Sequence, residues 1–136
     1  MKPEQNPLDE TRAARIREEG ELVAEFEAHV AHRVDDLLAD GLSPRDAADR
    51  ARAEFGEALA IAQQMKSPLL EATVYNNLAR MALETGDLGE ADRAIAGSLD
   101  ATGAGAPPEF RKQQWALAAQ AAYQHGNYTR AAWLIE

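Results

Sequence analysis

Two stretches of the chain share one skeleton: "ALETGDLGEADRAI" at residues 82–95 and "AYQHGNYTRAAWLI" at residues 122–135. In each, an Ala-containing run stops at Gly followed by Asp or Asn. A large side chain comes next, Leu88 or Tyr128, and then Ala and Ile at matched offsets. Gly86 and Gly126 stand 40 residues apart. Glycine ends a helix readily because it enters the left-handed region without a Cβ penalty, and Asp or Asn can cap the helix that follows. The phrase predicts a helical hairpin written twice. A hairpin recurring at a fixed offset is the mark of a helical solenoid.

Punctuation elsewhere agrees. Residues 1–8, with Pro3 and Pro7, predict a loose tail, and Asp9 is the expected N-cap of a first helix. From Glu10 to Asp40, Ile16, Val23, Phe26, Val30, Val34, Leu37 and Leu38 fall on one side of a helix. Gly20 is expected to bend or break it. Gly41 supplies a stop. Ser43-Pro44-Arg45-Asp46 then reads as a helix start, with Ser as cap, Pro in the first turn and an acid three residues after the cap. That helix is expected to reach about Met65, with an interruption at Gly56. Ser67-Pro68 repeats the signal and opens a helix to Thr85. Further helices are expected over 88–102, from the "GAGAPP" loop at 103–108 to His125, and over 128–136. No stretch alternates with period two over a strand's length. The expectation is one all-α domain over 9–136, comprising an N-terminal hairpin (9–66), a repeat (67–102) and a truncated repeat (103–136).

Composition narrows the function. The chain has 136 residues, no cysteine and a net charge of −9. Residues 1–66 carry −6 and residues 67–136 carry −3, so neither half offers the basic face that phosphate neutralisation needs. Nucleic acid is not an expected ligand. No apolar run approaches the roughly 18 residues of a membrane span, and "MKPEQNPLDE" has no apolar signal region. A soluble, cytoplasmic protein without membrane contact is expected.

In "YNNLARMALETGDLGEADRAIAGSL", Tyr75, Leu78, Ala79, Ala91 and Ile95 stand at the signature positions of a tetratricopeptide repeat, with Ala82 and Ser98 as departures. Forty residues on, Trp115, Ala118, Ala119, Ala131 and Ile135 repeat the set. The chain therefore resembles tetratricopeptide-repeat proteins over residues 68–136, and Ala51, Phe55 and Ala58 carry the second-helix spacing upstream. The resemblance implies a short right-handed superhelix of antiparallel helical hairpins. Small residues (Ala79, Ala82, Ala91, Ala118, Ala119, Ala122) would let the helices approach, and Tyr75 and Trp115 would fill the space between them. Residues 26–56 are more weakly similar to the helical prefix domain of some bacterial permeases, through Glu-Ala-His, Asp-Asp-Leu-Leu, Gly-Leu-Ser-Pro and Phe-Gly. That likeness carries no activity.

The family likeness also implies a concave groove lined by the first helix of each repeat. Polar stripes would then lie side by side in it: Thr73, Asn76, Asn77, Arg80 and Glu84 from one helix, Gln113, Gln120 and Gln124 from the other. Amides donate and accept, as a peptide backbone does, and Asn77 matches an Asn that holds peptide backbone in this family. Glu25, His29, His32 and Asp36 also share a helix face, at a spacing able to hold a divalent metal. That face lies away from the apolar stripe, so it reads as solvated, and no metal or cofactor is expected. His125 reads as a complement to a helix C-terminus.

The expected activity is non-catalytic binding of a protein or peptide, as an adaptor, chaperone or regulator. A sensor of a small molecule or signal peptide is the alternative, and metal chemistry on His29 and His32 is a distant third. Trp133 and Leu134 fall off the packing face of the last helix. They predict a docking surface there, most simply for a second copy of the chain.

Overall fold

The computed structural model describes residues 7–135, with the backbone alone described at 7–9, 30–32, 34, 128, 129 and 135. Six α-helices follow one another: α1 Pro7–Ala39, α2 Pro44–Gln64, α3 Pro68–Thr85, α4 Leu88–Thr102, α5 Pro108–Gln124 and α6 Tyr128–Ile135. A 3-10 turn at Gly103–Gly105 sits inside the expected loop ahead of α5. The described residues contain no strand, and the protein is all-α.

Turn chemistry explains these boundaries. Ser43 Oγ accepts from the Asp46 amide at 3.1 Å, Ser67 Oγ from Leu70 at 3.2 Å, and Asp87 Oδ1 from Glu90 at 3.0 Å. Each cap satisfies an amide that the first turn of a helix cannot pair internally. The backbone at Glu90 holds the Asp87 carboxyl below the usual carboxylate range. Four helix ends share a closing bond: Leu42 donates to the Leu37 carbonyl, Ser67 to Ala62, Asp87 to Ala82 and Asn127 to Ala122. Such a bond requires a left-handed residue just before the donor. Glycine fills that place three times, at φ 93° (Gly41), 80° (Gly86) and 82° (Gly126), and Lys66 fills it once, at φ 53°.

Three expectations near the N-terminus are corrected. Helix α1 begins at Pro7, so Pro7 and Leu8 are helical and Asp9 is not the cap; residues 1–6 of the expected tail lie outside the described residues. Neither Gly20 in α1 nor Gly56 in α2 interrupts its helix. A single interior glycine costs only about 1 kcal/mol relative to alanine, too little to break a long helix held by packing. The apolar stripe on α1 is only partly used. Leu37 is buried and Phe26 half-buried, but Ile16 is 64% exposed. The helix is roughly 50 Å long against roughly 27 Å for α3, and not all of it can lie against neighbours. The side chains of Val30 and Val34 lie outside the described residues.

The packing has a repeating order. Helix α3 packs on α1, α2, α4 and α5, while α5 packs on α3, α4 and α6. From α3 on, each odd helix therefore touches both helices before it and the one after it. Among the described residues the even helices α2, α4 and α6 do not pack on one another. Short turns between packed neighbours make α3–α4 and α5–α6 antiparallel hairpins.

The core forms in two clusters. Ala48, Ala51 and Phe55 of α2 meet Val74 and Met81 of α3, with Phe26 of α1 against them. The Phe26 and Phe55 rings lie 6.2 Å apart in a tilted pair. In the second cluster, Ala79, Ala82 and Leu83 of α3 meet Ala91, Ala94 and Ile95 of α4 and Leu117 and Ala121 of α5. Gly97 lets α4 close over Tyr75, because a Cβ there would stand 2.8 Å from the ring.

Candidate functional site

The gap between α4 and α6 is a groove of about 430 Å³ floored by α5. Ile95, Ala96 and Leu99 form one wall, and Trp115, Ala118, Ala121 and Ala122 form the floor and rim. Asp92, His125, Asn127 and Arg130 gather at one end. The offset of 40 residues explains the opening. Leu78 of the first hairpin corresponds to Ala118 of the second, which removes the volume of most of a side chain. Tyr75 is half-buried under Gly97, but its counterpart Trp115 is 38% exposed on the groove rim. Trp115 thus fills the space between helices only in part.

The polar end is organised. His125 Nε2 lies 2.9 Å from Asp92 Oδ2, so the histidine ties the end of α5 to α4 in addition to sitting at a helix terminus. Asn127 Oδ1 accepts from the Arg130 amide at 3.1 Å and caps α6. Among the described residues no carboxylate pairs with the Arg130 guanidinium. Trp133, one turn beyond Arg130 on the same side of α6, is 72% exposed, and Leu134 is half-buried.

The polar stripe expected on α3 is largely not a surface. Thr73, Asn76 and Asn77 are 1%, 2% and 8% exposed, because four helices surround α3. Most of their polar groups are used inside the fold, although Asn76 Nδ2 is buried with no hydrogen-bond partner among the described residues. Thr73 Oγ1 donates to the Leu69 carbonyl at 2.7 Å. Asn77 Nδ2 donates to the Thr73 carbonyl at 2.9 Å, and its Oδ1 accepts from Arg80 at 3.0 Å. Asn77 is thus buried, with both amide atoms engaged in bonds to its own helix. Arg80, Glu84, Gln113, Gln120 and Gln124 are exposed.

Sequence reasoning missed Gln114, which is 1% exposed. Its Nε2 donates to the carbonyl and hydroxyl of Ser98 at 3.1 and 3.0 Å, and Ser98 Oγ donates to Asn76 Oδ1 at 2.6 Å. This chain of side chains joins α5, α4 and α3. Its signal in the sequence was the Ser at position 98, where the family pattern has Ala: a hydroxyl at a packed position needs buried partners.

On α1, Glu25, His29 and Asp36 are exposed, and the side chain of His32 lies outside the described residues. His29 instead borders a smaller cleft between α1 and α2, with Arg33 and Glu54. Arg33 Nε donates to Glu54 Oε2 at 2.7 Å, and the guanidinium holds the Glu54 carboxyl below the usual carboxylate range. The described residues hold no group of three or more His, Cys, Asp or Glu side chains set to bind a metal. No helix among them is long and apolar enough to cross a membrane. Compared with known proteins, the chain matches no family model, no curated protein and no solved structure.

Proposed function

We propose that the chain is a non-catalytic protein-binding module, a short tetratricopeptide-like array of helical hairpins. The observation that carries this reading is the apolar groove over α5, with Trp115 on its rim and exposed Trp133 beyond it. Solvated aromatic surface beside a preformed groove is the anatomy of a protein-docking site, since large aromatic side chains supply most of the energy in such contacts. The packing order supports the same reading. It sets odd helices side by side and keeps even helices apart, as the family likeness implies. Exposed Arg80, Glu84, Gln113, Gln120 and Gln124 remain available to a partner that reaches the odd helices.

Selection of displayed peptides on the immobilised protein tests the proposal. Binders should be recovered, and Ala96→Arg, which fills the groove from an exposed position, should abolish their binding without altering the helical circular dichroism. Failure to enrich any binder, or binding indifferent to Ala96→Arg, would contradict it.

One observation favours a small-molecule sensor as a second reading. A groove of about 430 Å³ lies within the roughly 300–1,000 Å³ of ligand pockets. Exposed Trp133 on neighbouring α6 favours the protein partner. Self-docking through Trp133 and Leu134 belongs to the same proposal, and light scattering at increasing concentration would reveal it.

A further inference from the structure

We infer that α1 is a self-recognition surface: two copies of the chain pair through it, antiparallel, about a two-fold axis beside Gly20. The order of charge along the helix carries this. From Thr11 to Arg17 the charged residues are Arg12, Arg15 and Arg17, and from Glu18 to Ala28 they are Glu18, Glu19, Glu21, Glu25 and Glu27. A helix of this kind can pair its own charges one turn apart. Among the described residues, however, Arg12, Arg15 and Arg17 make no ion pair. Glu19 is engaged elsewhere, accepting from the Ser67 hydroxyl at 2.5 Å. A parallel second copy would set arginine on arginine and glutamate on glutamate. A reversed copy sets each block against its opposite, so the surface is complementary to itself, as a two-fold contact requires.

Apolar packing coincides with the change of sign. Ile16, Gly20, Val23 and Glu27 follow i, i+4, i+7, i+11 and share one side of α1. The Glu19–Ser67 bond sets the α2–α3 turn against the helix at this level. On its C-terminal side Val23 and Phe26 are half-buried, and on its N-terminal side Ile16 is 64% exposed. A Cβ at Gly20 would meet nothing within 4 Å, so the backbone there is open to the close approach of another helix. With the axis beside Gly20, Ile16 packs over Val23 of the second copy. Arg17 then lies beside Glu21 of that copy and Arg12 beside its Glu27, and each contact occurs twice. Arg12, Ile16, Arg17, Gly20, Glu21 and Glu27 are all exposed in the single chain. The net charge of −9 on each copy opposes association at long range, while the charges that meet at the contact are opposite, so the dimer is reversible and concentration-dependent.

Analytical ultracentrifugation of the full chain over a concentration series should show a monomer–dimer equilibrium. Arg12→Glu with Arg17→Glu should weaken the dimer roughly tenfold or more, and Glu21→Arg with Glu27→Arg should do the same. An equimolar mixture of these two variants should restore it, because each supplies the sign the other lacks. Circular dichroism should be unchanged in both, since the substituted side chains are exposed. Cross-links read the orientation, and the chain has no cysteine of its own to interfere. Gly20→Cys should form an inter-chain disulfide on mild oxidation. Ala13→Cys should not, because its two copies stand roughly 20 Å apart along an antiparallel pair. Trp133→Glu should leave the dimer intact, which separates this surface from α6. A monomer at every concentration, a dimer indifferent to both charge reversals, cross-linking through Ala13→Cys, or a dimer lost with Trp133→Glu overturns the inference.

Discussion

The α3–α4 and α5–α6 hairpins are written with the same phrase and are finished differently. In the first, α4 closes on the aromatic residue through Gly97, so Ala79 and Ile95 are buried and Tyr75 is half-buried. In the second, Ala118 stands where the first has Leu78, and Trp115 lies on a groove rim, 38% exposed. The small counterparts Ala119, Ala122 and Ala131 stay buried. The same pattern thus keeps its small residues interior in both units, and the aromatic position is the one that differs.

The largest expected effect contrasts the two units directly. Leu83→Ala, at a buried site in the first, should cost about 2–5 kcal/mol in denaturant unfolding. Trp133→Ala, at an exposed site in the second, should stay within about 0.5 kcal/mol. Comparable losses at both sites would break the comparison. Next comes Gly97→Ala. An interior helical Gly→Ala change normally stabilises, but here it crowds the Tyr75 ring and should cost about 1–3 kcal/mol. A stabilised variant would show that α4 does not close on Tyr75.

Capping differs as well. Ser67 caps α3, whereas Pro107 at the same place before α5 makes no side-chain cap bond. Ser67→Ala should lose about 1 kcal/mol and Pro107→Ser should gain a fraction of that, both read from thermal unfolding. Among the helix-ending turns, Lys66→Gly should raise stability by up to about 1 kcal/mol, since it removes the one non-glycine residue at positive φ. Unchanged stability would mean that Lys66 is not strained.

The smallest effect is acid sensitivity outside these hairpins. The folded Glu54 carboxyl titrates below its unfolded range of roughly 4.3, so its contribution is present above that value and fades as pH falls through the folded one. Arg33→Ala should flatten the stability profile below about pH 4 and leave the slope near neutrality unchanged.

Helix identity and most helix ends were legible because they rest on local chemistry: Ser-Pro starts, Asp87 as a cap, Gly86 and Gly126 as stops. The polar stripe on α3 was misread for a reason periodicity cannot see. A wheel divides one helix into two faces, but α3 is surrounded by four helices. Asn76 and Asn77, expected to line a groove, are therefore interior. The groove was scarcely legible: Trp133 is exposed as the α6 wheel predicts, but Leu134 is half-buried and neither lines the groove. Its walls come from α4 and α5 together, and no single stretch of sequence contains that.

A tie between non-adjacent helices has a mechanical consequence. Arg52 of α2 donates through Nε to both Glu90 oxygens on α4, at 2.8 and 2.9 Å, while Asp49 accepts from its Nη1 at 2.9 Å. The two helices it joins do not otherwise pack on each other. A strut between α2 and α4 resists their separation. High salt, which weakens such a strut, should let the α1–α2 and α3–α4 pairs melt more independently.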